Sequence, residues 1–167
     1  EVVYEEHVSP TIFVKFPVAA APDPSLTQNC YAVIWTTTPW TLPGNRAMAF
    51  AANLSYGVYQ AGNDKLVLCD SLADQVMHAA GIETYARLQD IDPGTLTCKH
   101  PLAEQGYDFD VPLLAGDFVT DETGTGLDHI APGHGQDDFE LGMKHGLDVP
   151  FTVNEAGVYY DDVPVFA

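Results

Sequence analysis

Residues 31–45 read Tyr-Ala-Val-Ile-Trp-Thr-Thr-Thr-Pro-Trp-Thr-Leu-Pro-Gly-Asn, and the rest of the chain is best interpreted outward from this stretch. Its first five residues are apolar, β-branched or aromatic, a pattern typical of a buried strand. Pro39 has no amide hydrogen and favours an extended backbone at Thr38, so the chain is expected to leave the sheet there. The three threonine hydroxyls at 36–38 therefore lie at a strand end, where they either face a ligand or satisfy local backbone groups.

Short strand-like segments surround this stretch. Ile12–Val18 alternates in polarity and is closed by Pro17, and Ser71 can cap a helix that ends at Gly81. Strands outnumber helices and βαβ spacing is scarce. We therefore predict an α+β, mainly β fold with a small β-barrel core and peripheral helices. Antiparallel strands are predicted after the threonines at Arg46–Ala51, Leu54–Ala61 and Asp64–Cys69.

Length and composition favour a single domain. The chain has 167 residues, of which 46% are hydrophobic, so residues 1–167 are predicted to form one unit. No run reaches the roughly 18 apolar residues of a membrane span, and the first residues lack a secretory signal. We expect a cytoplasmic location and no membrane partner. Cys30, Cys69 and Cys98 are widely spaced, which favours buried thiols over disulfides or a thiolate metal site.

The charge of the chain argues against nucleic-acid binding by this segment alone. Asp and Glu number 24 against 6 Lys and Arg, for a net charge of -18. Phosphate backbones are bound mainly through Lys and Arg. Two explanations stay open: an acidic surface suited to high salt, or a domain whose nucleic-acid partner is held by other parts of a larger protein.

A second polar cluster occupies residues 120–142. His129 lies in an alternating apolar segment and is predicted on a strand beside apolar neighbours. A helix is predicted from 136 to about 144, with Asp137 and Asp138 in its first turn. Exposed backbone amides there favour ionised carboxylates. A carboxylate held in that state can bind an ammonium group.

Purely structural roles and other kinds of ligand site also stay open for this cluster. The two acids can simply cap a helix, and a strand histidine can be an ordinary core side chain. A metal site built from His129, His134, Asp137 and Asp138 has suitable ligand types, but its spacing matches no helical ligand pattern. Gly-Thr-Gly at 124–126 lacks the residues of a phosphate-binding loop. We expect neither a metal nor another cofactor.

Residues 35–47 and 124–139 together resemble the editing domain of isoleucyl-tRNA synthetases. The two motifs are Trp-Thr-Thr-Thr-Pro-Trp-Thr-Leu-Pro-Gly-Asn-Arg-Ala and Gly-Thr-Gly-Leu-Asp-His-Ile-Ala-Pro-Gly-His-Gly-Gln-Asp-Asp-Phe. The resemblance covers nearly the whole chain. Thr38 stands where the valyl and leucyl relatives carry arginine, which favours the isoleucyl family. Asp128 departs from the pattern, which has a small apolar residue at that position.

The resemblance implies a single editing domain of a larger synthetase, without the synthetic active site. Such a domain hydrolyses valine wrongly attached to the isoleucine tRNA, and misactivated valyl-adenylate. The implied partners are the valine moiety and the 3′-terminal adenosine of tRNA(Ile), with the tRNA held mainly by the rest of the enzyme, and we expect a monomer. Water is the expected nucleophile, because no Ser-His-Asp or Cys-His arrangement is evident.

The resemblance also implies a role for each site residue. Asp138, Thr37 and Thr38 are the implied catalytic residues: Asp138 binds the α-ammonium group, and the threonines position the ester and the attacking water. His129 excludes the extra methyl group of isoleucine, and Asn45 bonds the terminal adenosine. The residues implied in substrate binding are Trp35, Thr36, Asn45, His129 and His134.

Two rival functions stay open from the sequence. One is a metal-dependent hydrolase that uses the His/Asp cluster. The other is a noncatalytic module that binds an amino acid or an aminoacyl nucleotide. A chelator would inhibit the first, and the second would bind its ligand without hydrolysing it.

Overall fold

The computed structural model describes residues 12–150, 152, 156, 158–161 and 163. These residues form a mainly β, α+β fold, which confirms the predicted class. The strands are β1 (Ile12–Ala20), β2 (Cys30–Thr36), β3 (Ala47–Phe50), β4 (Tyr56–Ala61), β5 (Asp64–Cys69), β6 (Ala86–Ile91), β7 (Thr97–Lys99), β8 (Asp110–Ala115) and β9 (Leu127–Ile130), and the helices are α1 (Ala73–Ala79) and α2 (Gln136–His145).

The strands form one open sheet in the order β6-β4-β5-β2-β1-β7-β8-β3-β9. The predicted β-barrel is therefore wrong. A barrel requires its two edge strands to pair, and within the described part of the chain no ladder joins β6 to β9. β9 instead lies against β2. This contact brings the second sequence cluster to the strand that precedes the threonines.

Strand pairing agrees with the sequence where it is local and departs from it where it is not. The hairpin around Gly62 is confirmed, with β4 and β5 paired from Tyr56 opposite Cys69 to Ala61 opposite Asp64. The predicted antiparallel pairing of the strand at 46–51 with the next strand is wrong. β3 instead pairs in parallel with β8 and antiparallel with β9. Its short apolar sequence suits any buried neighbour, so the local pattern does not select the partner.

β1 continues beyond Pro17, where the sequence predicted its end. Pro17 pairs with Tyr31 at the last position of the β1–β2 ladder, and β1 then pairs with β7 through Val18 and Ala20. The register with β7 is irregular between those two residues. The proline thus sits where β1 changes partner, a position at which a missing amide hydrogen is tolerated.

The first helix begins later than predicted. A 3-10 turn, Asp70–Leu72, precedes α1, and the hydroxyl of Ser71 donates to Asp121 at 3.1 Å instead of capping the helix. Gly81 follows the helix with a φ of 73°. The second helix agrees with its prediction: α2 begins at Gln136 and is closed by left-handed Gly146.

The core consists of two apolar clusters. The larger one lies between β1, β2, β4, β5 and α1, and includes Phe16, Ile34 and Met77. The smaller one joins β3 and β9 to α2, with Ala47 and Ala49 on β3 and Leu141 on the helix. This packing fixes the start of α2 close to the end of β9. Both ends therefore meet the threonine segment after β2.

Two smaller expectations concern thiols and membranes. The three cysteines are buried and unpaired, as predicted. Among the residues that the structure describes, no helix has the length and apolar character needed to cross a membrane.

Candidate active site

A recess of about 370 Å³ lies where β2, β9 and α2 meet. Its volume falls within the range of about 300–1,000 Å³ found for ligand pockets. Six of the eight residues predicted for the site line it, and Thr37 and Asn45 do not. The lining residues are Trp35, Thr36, Thr38, Thr41, Phe118, Asp128, His129, Ala131, His134, Asp137 and Asp138.

The threonine segment forms one wall because the chain turns sharply after β2. A 3-10 helix, Pro39–Gly44, follows the strand, and Pro39 occupies its first position. The amide of Thr38 donates to the Thr36 hydroxyl at 3.0 Å, and the two hydroxyl oxygens lie 3.4 Å apart. Thr37 is exposed and is not among the residues that line the recess. Two adjacent hydroxyls, from Thr36 and Thr38, are thus presented to a ligand.

His129 is held in one tautomer by its neighbours. Nδ2 of Asn45 lies 2.6 Å from Nδ1 and only donates, so Nδ1 accepts. The proton is therefore on Nε2, which donates to the hydroxyl of Thr41 at 2.8 Å. Thr41 donates in turn to the carbonyl of Thr38 at 2.9 Å. Burial, with smaller contributions from the nearby histidines, lowers the pKa of His129 to about 4. The ring is neutral near pH 7 and rigid.

Asn45 lies behind His129 rather than in the recess. Its side chain is fully buried, and Nδ2 also donates to the carbonyl of Ala47 at 2.9 Å. Only an N–H group makes that bond, so the orientation of the amide is fixed. Among the described residues, Oδ1 of Asn45 has no hydrogen-bond partner. The structure thus places Asn45 to orient the histidine, away from the position expected for a residue that contacts adenosine.

His134 closes another side of the recess. Its Nε2 lies 2.9 Å from the hydroxyl of Thr152, and burial lowers its pKa. The ring packs directly on Gly44, where an added Cβ would lie 2.9 Å from Cδ2 of His134. The glycine of the first motif is therefore required by the histidine of the second.

Asp138 lies at the start of α2 and is anchored by one oxygen. Its Oδ2 accepts from the amide of Ala131 at 2.9 Å. Burial raises the pKa of Asp138, the Ala131 amide opposes this, and the charge of Asp137 adds to it. The direction is opposite to that expected from a helix start. The carboxylate is thus held in place, but within the described part of the chain no lysine or arginine forms an ion pair with it.

Asp128 also lines the recess, although no role was predicted for it. It lies on β9 beside His129, opposite Ala49 of β3. Its side chain is exposed at the recess, and no described residue donates a hydrogen bond to it. Loss of hydration against the surrounding protein, and then the charge of Asp138, raise the pKa of Asp128 to about 6. The recess therefore contains three carboxylates, those of Asp128, Asp137 and Asp138, whose charges interact unfavourably.

Nothing in the lining neutralises these acids. Of the described residues that line the recess, none is a lysine or an arginine. No three described His, Cys, Asp or Glu side chains are arranged to hold a metal ion. The site thus combines the rigid neutral ring of His129, the hydroxyls of Thr36 and Thr38, and three carboxylates that can accept an organic cation.

Four residues of the recess belonged neither to the predicted site nor to the alternative metal site: Thr41, Phe118, Asp128 and Ala131. Thr41 was within the quoted motif, but its bond to His129 depends on a contact between distant segments. Phe118 lies in an irregular segment before β9 that has no distinctive pattern. Asp128 gave a signal, since it was the position at which the motif departed from its family.

Comparison with known proteins covers nearly the whole chain. The isoleucine–tRNA ligase of Bradyrhizobium diazoefficiens is 42% identical over 190 aligned positions, which include 99% of this chain and 19% of that protein. The isoleucine–tRNA ligase of Agrobacterium fabrum is 44% identical over 188 positions, with the same two coverages. The chain belongs to the editing (CP1) domain family of isoleucyl-tRNA synthetases. It spans about a fifth of the length of these relatives.

The fold of this editing domain also has a solved counterpart. The crystal structure of GlLeuRS-CP1 matches it with a TM-score of 0.66 at 18% identity, over 86% of this chain and 70% of that one. No protein-family model matches the chain. The resemblance inferred from the two motifs is confirmed by the isoleucine–tRNA ligases and by this shared fold.

Proposed function

We propose that this editing domain hydrolyses the ester of valine wrongly attached to tRNA(Ile), and the corresponding valyl-adenylate. The observation that carries the proposal is the convergence of Thr36, Thr38, His129 and Asp138 on one recess. The first two come from one motif and the last two from the other. A recess of about 370 Å³ has room for an aminoacyl group with part of its adenosine.

A second site is needed because valine is smaller than isoleucine by one methylene group. A pocket sized for isoleucine admits valine, and one methylene provides only about 1–3 kcal/mol of discrimination, a limit for which isoleucyl-tRNA synthetase is itself the standard example. An editing recess applies the opposite test, since it admits the smaller side chain. In this proposal the rigid His129 ring, held by Asn45 and Thr41, excludes isoleucine.

Asp138 binds the α-ammonium group of the misattached amino acid. Its Oδ2 is engaged by the amide of Ala131, which leaves Oδ1 for the ligand. An ammonium group beside a carboxylate whose pKa is raised by burial stabilises the ionised form. This contact selects a free amine and orients the ester at the same time.

Thr36 and Thr38 hold the ester carbonyl and the attacking water. The Thr36 hydroxyl accepts from the amide of Thr38, so its own proton is available to Thr38 or to the substrate. His129 does not act as the base, because both of its ring nitrogens are engaged and its pKa is about 4. We propose that the ribose hydroxyl beside the ester moves the proton. Positioning and oxyanion stabilisation then supply the remaining catalysis.

The proposal retains the partners inferred from the sequence. The tRNA is held mainly by the rest of the synthetase, because this segment has 24 acidic and 6 basic residues. We propose a monomeric, cytoplasmic enzyme. Thr37 has no place in this account beyond the turn that it occupies, since it is exposed outside the recess.

The test is deacylation of valyl-tRNA(Ile) by an isoleucyl-tRNA synthetase in which this chain forms the editing domain. We expect rapid release of valine, slow release of isoleucine and no inhibition by a chelator. Terminal adenosine lacking the adjacent hydroxyl should slow the reaction strongly. Chelator-sensitive hydrolysis would favour a metal enzyme, and binding without hydrolysis would favour a noncatalytic module.

A further inference from the structure

We propose that Asp128 is a second ammonium-binding residue of the editing recess, which holds the α-amine of the substrate together with Asp138. The proposal rests on the proposed function, because it assigns a partner to the same substrate group. The residue is the one at which the second motif departs from its family. The recess thereby gains a carboxylate where an apolar side chain was expected.

An ammonium group requires several hydrogen-bond acceptors. It has three N–H donors. Asp138 offers one oxygen, because its other oxygen accepts from the amide of Ala131. An N–H group left unpaired in a recess is unfavourable. Asp128 and Asp137 both line the recess and interact with the charge of Asp138. In this proposal Asp128 supplies the further acceptors, because β9 holds it between the paired residues Leu127 and Ile130.

Asp128 occupies a fixed position on β9. β9 is fixed on both sides of it, by the pairing of Ile130 with Ala47 and of Leu127 with Phe50. The side chain lines the recess and receives no hydrogen bond from any described residue. It therefore binds a ligand without first breaking a contact of its own. The backbone that carries it is already ordered.

Asp128 is surrounded by other titratable groups. The titratable groups that surround it are Asp137 and Asp138 on α2, His129 on β9, His134 in the following turn and Tyr56 on β4. The pKa of His129 is about 4 and burial lowers that of His134, so neither ring supplies a positive charge near pH 7. A ligand cation is thus the group that relieves the repulsion between Asp128 and Asp138.

The experiment measures binding of two nonhydrolysable probes by calorimetry. One is 3′-(valylamino)-3′-deoxyadenosine, which has the free amine. The other is its 3-methylbutanoyl counterpart, which lacks that amine. We expect D128N to bind the first probe about ten- to hundredfold more weakly than the unchanged protein, and to bind the second equally well. The variant D128V, which restores an apolar side chain, should behave like D128N.

The matched control is D108N, which removes one exposed acid outside the recess. If D108N weakens the amine probe as much as D128N does, the effect is the general field of the acidic surface and the proposal is overturned. Equal losses for both probes would show that Asp128 shapes the pocket, and unchanged binding with slower valine release would show that it acts on water. Either result also overturns the proposal.

The pH dependence gives an independent readout. Because the pKa of Asp128 is about 6 and a bound cation favours its ionised form, affinity for the amine probe should fall about tenfold from pH 7 to pH 5. The probe amine stays protonated across this range. D128N should show a smaller fall, due to Asp138 alone. An identical fall in both proteins would contradict the proposal.

The same series separates this inference from the proposed function. If the unchanged protein binds the amine probe and the synthetase releases valine, but D128N matches it in both, then this inference alone fails. If the unchanged protein neither binds the probe nor supports deacylation, then the proposed function fails with it.

Discussion

The carboxylates around Asp70 and those in the recess differ in the direction of their pKa shifts. On the β4 side, Asp70 accepts from Arg87 at 3.0 and 3.1 Å and from the Tyr59 hydroxyl at 2.6 Å. The hydrogen bonds of Arg87 contribute most to a lowered pKa at Asp70. In the recess, no described lysine, arginine or tyrosine donates to Asp128 or Asp138, and the pKa values of both are raised.

This difference indicates which cluster is structural and which is functional. Asp70 lies beside a larger cavity of about 560 Å³, yet its charge is already neutralised within the fold. The smaller recess contains the acids that the fold leaves without a cation. Perturbed groups of this kind are typical of functional sites. Cavity size alone would have selected the acids beside Asp70.

The largest expected effect comes from removing the ammonium contact. D138N keeps an oxygen for the Ala131 amide but loses the negative charge, so valyl-tRNA(Ile) deacylation should fall about hundredfold or more. Initial rates with the complete synthetase measure this, with D108N as the control. Activity of D138N within a fewfold of the control would show that Asp138 does not bind the amine.

The next largest effect is expected on the discrimination between valine and isoleucine by side-chain size. H129A removes the ring that closes the side-chain pocket, so the preference for valyl- over isoleucyl-tRNA should shrink by about 10–200-fold, the range that one methylene supports. The ratio of the two deacylation rates measures this change. H145A, at the exposed end of α2, should leave the ratio unaltered. An unchanged ratio in H129A would assign the selection to another residue.

A smaller effect, on stability, is expected in the cluster of Asp70, Arg87 and Tyr59. Tyr59 is buried and its hydroxyl donates to Asp70, so Y59F should lower the free energy of unfolding by about 1–2 kcal/mol. Urea unfolding measures the loss, and Y160F removes the hydroxyl of an exposed tyrosine for comparison. Editing should be unaffected. A loss of editing in Y59F with little loss of stability would erase the distinction between the two clusters.

The smallest effect is a gain in stability. The pKa of Asp128 is about 6 in the folded domain, above its ordinary value, so the folded state binds more protons than the unfolded state between about pH 4 and pH 6. Ionised Asp128 therefore destabilises the fold near pH 7. D128N should unfold at a slightly higher temperature than the unchanged protein at pH 7, and the difference should vanish below about pH 4. Solvent at the recess keeps the gain small.

Asp70 should show the opposite pH dependence. Its pKa is lowered, so its stabilising contribution is complete above the ordinary pKa of aspartate and is lost as the pH falls below that value. Thermal unfolding measured from neutral to acidic pH should therefore show a loss of stability that is smaller in D70N than in the unchanged protein. A gain in D128N that persists at acidic pH would contradict the assignment.

The sequence predicted what local chemistry determines. Pro39 ends β2 and places the threonine hydroxyls beyond it, and the start of α2 at Gln136 follows from residues within one turn. The mainly β class and the family were also predictable, since long motifs are specific. The choice between a closed barrel and an open sheet depends on whether distant edge strands pair, which no local pattern encodes.

The parts of the site that sequence reasoning did not predict depend on contacts between distant segments. Asn45 looked like a ligand contact because it follows the threonines, but its amide is buried against His129. Ser71 was predicted to cap a helix, but its hydroxyl donates a hydrogen bond to Asp121, which is 50 residues away in the sequence. The role proposed for Asp128 requires knowing that β9 and α2 open onto the same recess.

The described residues that line the recess include no lysine or arginine, and in this account the substrate amine supplies the missing positive charge. Carbon-13 NMR titration of the aspartate carboxyls, with and without the valylamino adenosine probe, tests this most directly. We predict that the pKa of Asp138 and that of Asp128, about 6 in the unliganded domain, both fall when the probe binds, while that of Asp70 does not move. Unchanged pKa values at Asp128 and Asp138 with bound probe would contradict the account.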